Sequence, residues 1–187
     1  MAQAIMRRRK ANANNAVEVG AEWTLTAASG TFKVPVSGNY QVEIHGGGGG
    51  GTRGTTLIIG GGGSGEVYTV ELTRGDNISY TVGKGGSGNG TTSSVGADGK
   101  KSTFGSLSVN GGGGGRANSS SGSVVVNNAI GSLATSGKYV SGEGTAQGGY
   151  GNKDRVSQTY GNGGSASEFS GKDGSGGGII VTYLGKE

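Results

Sequence analysis

Residues 30–51 read GTFKVPVSGNYQVEIHGGGGGG, and this stretch decides the fold. Phe32, Val34 and Val36, then Tyr40, Val42 and Ile44, alternate with polar neighbours, which is the period of strands that bury one face. Ser29-Gly30 and Ser37-Gly38 bound the runs as turns. Pro35 has no N–H to give to a ladder, so it marks an edge strand or a strand end. The second run stops at His45 and passes directly into six glycines. A flexible linker puts its glycines at the margin of a domain, whereas these abut core-forming residues.

Outward from this stretch the same two signals recur. Alternating runs lie at Trp23 and Leu25, at Tyr68, Val70 and Leu72, and, after the turn Arg74-Gly75-Asp76-Asn77, at Ile78, Tyr80 and Val82. Leu107 with Val109, and Ile179, Val181 with Tyr183, complete them. No helical repeat is present, so the chain reads as all-β with antiparallel strands. Glycine runs occupy 46–51, 60–63, 111–115 and 176–178, with clusters at 83–90, 148–151 and 161–164. Polyglycine in the polyproline II conformation has three residues per turn and no internal hydrogen bonds, so it must bond sideways. Fixing each backbone costs about 1 to 2 kcal/mol with no side chain to offset it. Order therefore requires several runs packed together and anchored on a β core.

Glycine supplies 46 of 187 residues without a strict three-residue period, which excludes collagen. Leu, Ile, Val and Phe together make up less than a fifth of the chain, a composition that leans towards disorder. The charges lean the other way. Lys and Arg number 16 against 12 Asp and Glu, and the excess of four is the cluster Arg7, Arg8, Arg9 and Lys10. Residues 11–187 are formally neutral, so no self-repulsion holds them open. The expected organisation is a basic arm over 1–22, which attaches the protein to a larger assembly, and one glycine-rich β-sandwich domain over 23–187. Four charges give weak nucleic-acid affinity at physiological salt, so no specific nucleic acid is expected as a partner.

Several chemistries find no support. With no Cys there are no disulfides, zinc-thiolate sites or thiol nucleophiles. G-x-G-x-x-G matches arise by chance in so glycine-rich a chain, and no Gly-Lys pair is followed by the Ser or Thr of a phosphate loop. Asp76, Asp98, Asp154 and Asp173 are too far apart for calcium-binding nonapeptides. The lone His45, at a strand end, reads as structural or surface rather than catalytic. The expectation is a protein that is not an enzyme and needs no cofactor or metal. The first 16 residues lack the apolar stretch of a signal peptide, so export by the general secretory route is not expected.

Tyr139, Tyr150, Tyr160 and Phe169 stand singly among Gly, Ser, Asn and Lys. Aromatics on such loops resemble a binding paratope; equally, they could cap glycine bundles as substitute core. The segments 116–147 and 152–160 lack strand periodicity and suit loop tips on a rigid scaffold. Lys138, Tyr139, Tyr150, Lys153, Arg155 and Tyr160 are the candidate binding residues, and Arg7, Arg8, Arg9 and Lys10 the candidate attachment residues.

Together with the opening stretch, GGGGSGEVYTVELTRGDNISYTVGKGGSGNG (60–90), STFGSLSVNGGGGG (102–115) and SGGGIIVTY (175–183) resemble the glycine-rich domain of phage tail-fibre, tail-tip and adhesin proteins. A similar union of sandwich and glycine helices occurs in the extracellular region of an animal receptor tyrosine kinase. The resemblance implies a jelly-roll-like, tumour-necrosis-factor-like antiparallel sandwich carrying packed polyglycine II helices. It also implies a virion protein made in the host cytoplasm, partnered by tail, baseplate or capsid proteins and by a host surface protein or glycan, and forming a homo-oligomer such as a trimer. A capsid-decoration or tail-assembly subunit without receptor binding is the alternative reading.

Overall fold

The alternating runs become strands whose buried faces meet between two sheets. The computed structural model describes residues 17–51, 63, 65–88, 96–115, 160–161 and 171–186, with the backbone of short strands at 5–6, 138–140, 145–147 and 166–167. In chain order the strands are β1 (Ile5–Met6), β2 (Glu22–Leu25), β3 (Ser29–Lys33), β4 (Gly38–His45), β5 (Gly65–Leu72) and β6 (Asn77–Thr81). Then follow β7 (Ser102–Phe104), β8 (Leu107–Val109), β9 (Lys138–Val140), β10 (Thr145–Gln147), β11 (Ala166–Ser167) and β12 (Gly178–Gly185). No helix occurs among the described residues. One sheet has the order β1-β2-β12-β4-β5, a second β3-β6-β7-β8, and a small third β11-β10-β9. All pairings are antiparallel.

Each alternating run read from the sequence contributes to one of these strands, and Pro35 lies just beyond the end of β3. Strand β7 was not legible, because Ser102-Thr103-Phe104 carries one apolar residue and shows no alternation. Strand β1 lies within the stretch expected to form the arm, where Ile5 pairs with Thr24 and Met6 with Trp23. Strands β9 and β10 lie within the stretch expected to consist of loops.

Between the two larger sheets lie Trp23, Leu25, Phe32, Val34, Tyr40, Val42, Ile44, Tyr80, Phe104, Val109, Ile179, Val181 and Tyr183, all buried. So few aliphatic residues suffice because aromatics fill the volume. Phe32 sits edge-on to Trp23 at 5.6 Å and to Tyr40 at 6.4 Å, and Tyr40 lies 5.1 Å from Tyr183. Such pairs add about 0.5 to 1.5 kcal/mol each beyond burial. Gly30 faces Tyr80 across the β3/β6 pair, and a Cβ there would stand 2.6 Å from the Tyr80 hydroxyl; the glycine is what lets that ring lie across the strand. Gly75, at φ +91°, closes the β5–β6 turn, where its N–H donates to Val34 O at 2.9 Å.

Five glycine segments extend the strands: g1 (46–51), g2 (83–88), g3 (96–101), g4 (111–115) and g5 (171–177). The sheet register passes into them without a break. His45 pairs with Gly178 in β4/β12; three residues further, Gly48 N–H donates to Ser175 O, and after three more Gly51 N–H donates to Lys172 O, both at 2.9 Å. Thr81 pairs with Thr103 in β6/β7, followed at the same interval by Lys100 N–H to Lys84 O and Ala97 N–H to Ser87 O. Ser102 pairs with Val109 in β7/β8, followed by Gly99 N–H to Gly112 O and Gly96 N–H to Gly115 O. Segment g1 is the hub. It donates from Gly47 and Gly50 to g3, and it accepts from Gly86 of g2 and from Gly112 and Gly115 of g4. All six of its glycines are buried. A net hydrogen bond contributes about 1 kcal/mol, while ordering each glycine costs about 1 to 2 kcal/mol, so the bundle depends on the strands that start it.

This continuity gives the molecule two poles. The turns at 34–37 and 73–76 and the termini of the described body lie at one, where Gly20 N–H donates to Tyr183 O and Tyr183 N–H to Ala21 O. At the other, Gly51, Gly88, Gly96, Gly115 and Lys172 end the bundle at one level.

Candidate functional site

The point where strand becomes glycine segment carries the polar chemistry of the interior. In β4, Tyr40, Val42 and Ile44 face the core, so the strand period turns Glu43 and His45 to the opposite face of the sheet. Both are nevertheless buried, His45 completely. Their Nε2 and Oε1 atoms are 2.7 Å apart. Tyr160 packs on the histidine: its ring stacks on the imidazole at 6.3 Å between centroids and 23° between planes. The same ring lies over Gly178, the cross-strand partner of His45, where a Cβ would come within 2.7 Å of it. Backbone bonds of 2.7 Å from Gly161 N–H to Gly176 O and from Gly63 N–H to Gly161 O hold this aromatic in place.

Ser102 ties the junction together. Its hydroxyl donates to His45 O at 2.6 Å and accepts from Gly83 N–H at 2.9 Å. It thereby links the exits of β4, β6 and β7 into g1, g2 and g3. The hydroxyl is committed to two backbone groups, so the closeness of Ser102 to His45 is not a nucleophile–base pair. The expectation of a structural role for His45 fits this burial and packing. Its partners were within reach of the sequence: Glu43 stands two residues away on the same strand face. Tyr160 carried no such signal, because its contact with His45 spans more than a hundred residues.

In the core, burial raises the Tyr40 phenol above its ordinary value, and the neighbouring Tyr183 pushes in the same direction. Its hydroxyl donates to Val36 O at 2.7 Å. In the bundle, Asp98 accepts from Gly114 N–H at 2.7 Å and Asp173 from Gly88 N–H at 2.6 Å, so two of the scattered carboxylates cap glycine backbone.

Of the candidate binding residues, Tyr160 is half-buried on His45 and Gly178, the substitute-core arrangement rather than a free loop tip. Lys138 and Tyr139 lie in β9, paired with Gln147 and Ala146 of β10; their side chains are outside the described residues. Tyr150, Lys153 and Arg155 also lie outside them, as do Arg7, Arg8, Arg9 and Lys10. The structure therefore brings Tyr160 to the junction and fixes the ends of the connections that carry the others. The connections 52–62, 89–95, 116–159 and 162–170 each have at least one end at the outer level of the bundle.

A comparison with curated proteins returned no match. A family model described as a glycine-rich domain matches residues 25–185, from the last residue of β2 to the last of β12. Covering strands of both larger sheets and the glycine bundle that extends from them, that match places the chain in the glycine-rich domain family.

Proposed function

We propose that the chain is a phage virion structural protein, a tail-tip or tail-fibre adhesin that binds the host cell surface. The observation that carries this reading is the separation of the two poles. The end of the β-sandwich that receives the N-terminal segment is opposite the outer level of the glycine bundle, where the connection 116–159, which carries Lys138, Tyr139, Tyr150, Lys153 and Arg155, departs from Gly115 before it returns to the junction at Tyr160. A protein that must be held at one end and make contact at the other needs this arrangement. A bundle with many inter-segment bonds also supplies the rigid platform that loop-borne contacts require.

The finer architecture belongs to the same proposal. We read the glycine segments as polyglycine II helices, which is supported by bonds that recur every third residue and go to several neighbours at once. We read the sandwich as jelly-roll-like, supported by the crossings from β2 to β3, β3 to β4 and β5 to β6 between the two sheets. The adhesin would work as a homo-oligomer, with a trimer as the form to seek by light scattering.

Purified full-length chain, added to host cells before the phage, should lower adsorption by occupying receptor. Deleting residues 1–16 should remove the protein from particles while leaving it able to compete. Adsorption unchanged by any concentration of a folded, competent chain overturns the adhesin reading and leaves a structural subunit.

A further inference from the structure

We propose that the outer face of the β3-β6-β7-β8 sheet and the adjoining g2–g3 side of the bundle form one binding surface for an acidic polysaccharide, with Lys84 and Lys100 reading its anionic groups. This rests on the host-surface reading above and names a ligand class for it.

The two outward faces of the sandwich differ in chemistry. That of the larger sheet sets Thr24, Thr69 and Thr182 among the carboxylates Glu22 and Glu71 and the half-exposed Val67. That of the smaller sheet is paved with hydroxyls: Ser29 stands opposite Thr81, Thr31 opposite Ser79, Thr81 opposite Thr103 and Thr103 opposite Ser108. The Thr81 and Thr103 hydroxyls are 2.8 Å apart on the surface. Because β6/β7 continues into g2/g3 in register, this paving extends onto the bundle in rungs. The Thr81/Thr103 rung is followed three residues on by Lys84/Lys100 and then by Ser87/Ala97, all four exposed. At the rise of a three-residue turn the rungs are about 9 Å apart. Gly83 and Gly85 flank Lys84, Gly99 precedes Lys100, and both lysines are exposed.

The lysine rung is costly to the fold. Lys100 N–H bonds to Lys84 O at 2.9 Å, which puts two ammonium groups on adjacent backbones. Like charges placed directly opposite destabilise a ladder. Among the described residues no ion pair involves Lys84, Lys100, Lys101 or Lys172. The bundle carboxylates Asp98 and Asp173 accept backbone N–H groups from Gly114 and Gly88. Two exposed cations in register with a hydroxyl array fit a ligand that brings both anions and hydroxyls. They fit nucleic acid less well, because among the described residues no aromatic ring on this face is exposed for a base to stack on.

The test measures binding of the full-length chain to dextran sulfate, uncharged dextran and oligothymidine at about 50 and 200 mM salt. The expected result is binding to dextran sulfate alone, reduced at least ~10-fold in Lys84→Gln/Lys100→Gln and restored in Lys84→Arg/Lys100→Arg, with the Gln variant melting no lower than the parent because the like-charge rung is relieved. Loss of two contacts should lower the salt slope by about 1.4. A variant with Arg7, Arg8, Arg9 and Lys10 all changed to Gln should retain the binding. Binding that vanishes with the arm cluster, that ignores Lys84 and Lys100, or that favours oligothymidine overturns the proposal. Adsorption competition run in parallel separates the two readings: competition that persists without dextran sulfate binding sinks the polysaccharide surface and leaves the adhesin standing.

Discussion

Gly47→Ala is the sharpest probe of the bundle. A Cβ at Gly47 would stand far inside contact distance of Lys84 O, a backbone atom that cannot swing aside. Three hydrogen bonds hold g1 here: Gly47 N–H to Lys100 O at 2.9 Å, Gly112 N–H to Gly47 O at 2.8 Å, and Gly86 N–H to Gly48 O at 2.8 Å. Moving g1 away from g2 to admit the methyl stretches all three. At about 1 kcal/mol per bond and about 1 to 3 kcal/mol for overpacking, less partial relaxation, the cost comes to about 4 kcal/mol. For a chain of this size that lowers the melting temperature by roughly 8 to 16 °C. Gly176→Ala is the matched control, since Gly176 is exposed and the nearest atom to its Cβ is Gly83 O at 3.7 Å. There the loss of unfolded-state freedom dominates and stability rises by about 0.4 to 1 kcal/mol. Thermal and denaturant melts of both variants decide the matter. If Gly47→Ala melts within about 2 °C of the parent, or the two variants move together, the close-packed bundle is wrong and g1 is a loose linker.

The junction and core make further claims on the same assays. Ser102→Ala strands the buried Gly83 N–H and should cost about 1 to 3 kcal/mol; an unchanged denaturant midpoint would show that the hydroxyl does not tie the junction. Tyr160→Ala should lower stability by roughly 1 to 2 kcal/mol through the lost stack on His45 and the uncovered Gly178, whereas Tyr139→Ala should lower host adsorption with melting unchanged. Tyr40 has its folded pKa raised by burial, so its contribution is fully present below the unfolded value near 10 and is lost as pH rises through the raised folded value. Tyr40→Phe removes the bond to Val36 O and is the weaker protein at pH 8 by about 1 kcal/mol. Above about pH 10 the parent's stability should decline, by up to about 1.4 kcal/mol per pH unit, and the gap should narrow; a constant gap to pH 11 contradicts the linkage.

Local pattern determined the strands. The alternation in Trp23 to Leu25, Tyr40 to Ile44, Tyr68 to Leu72 and Ile179 to Tyr183 states which side chains are buried, because a strand's faces exchange at every residue. The location of the glycine runs was equally plain, and their attachment to strand ends followed from adjacency alone. Which strand pairs with which was not written locally. Strand β12 enters between β2 and β4 from the far end of the chain, and β7, with its single apolar residue, is a strand only because Thr81 and Ser108 pair with it from either side. Tertiary structure also decided the fate of polar residues. Glu43 and His45 read as an outward strand face, yet both are buried, and Tyr160, arriving from a distant segment, stacks on His45 there. Lys84 and Lys100 stand sixteen residues apart in sequence. They became neighbours because a register set in β6/β7 runs on into glycine, whose rise per residue nearly matches that of a strand and whose lack of a side chain lets the segments approach.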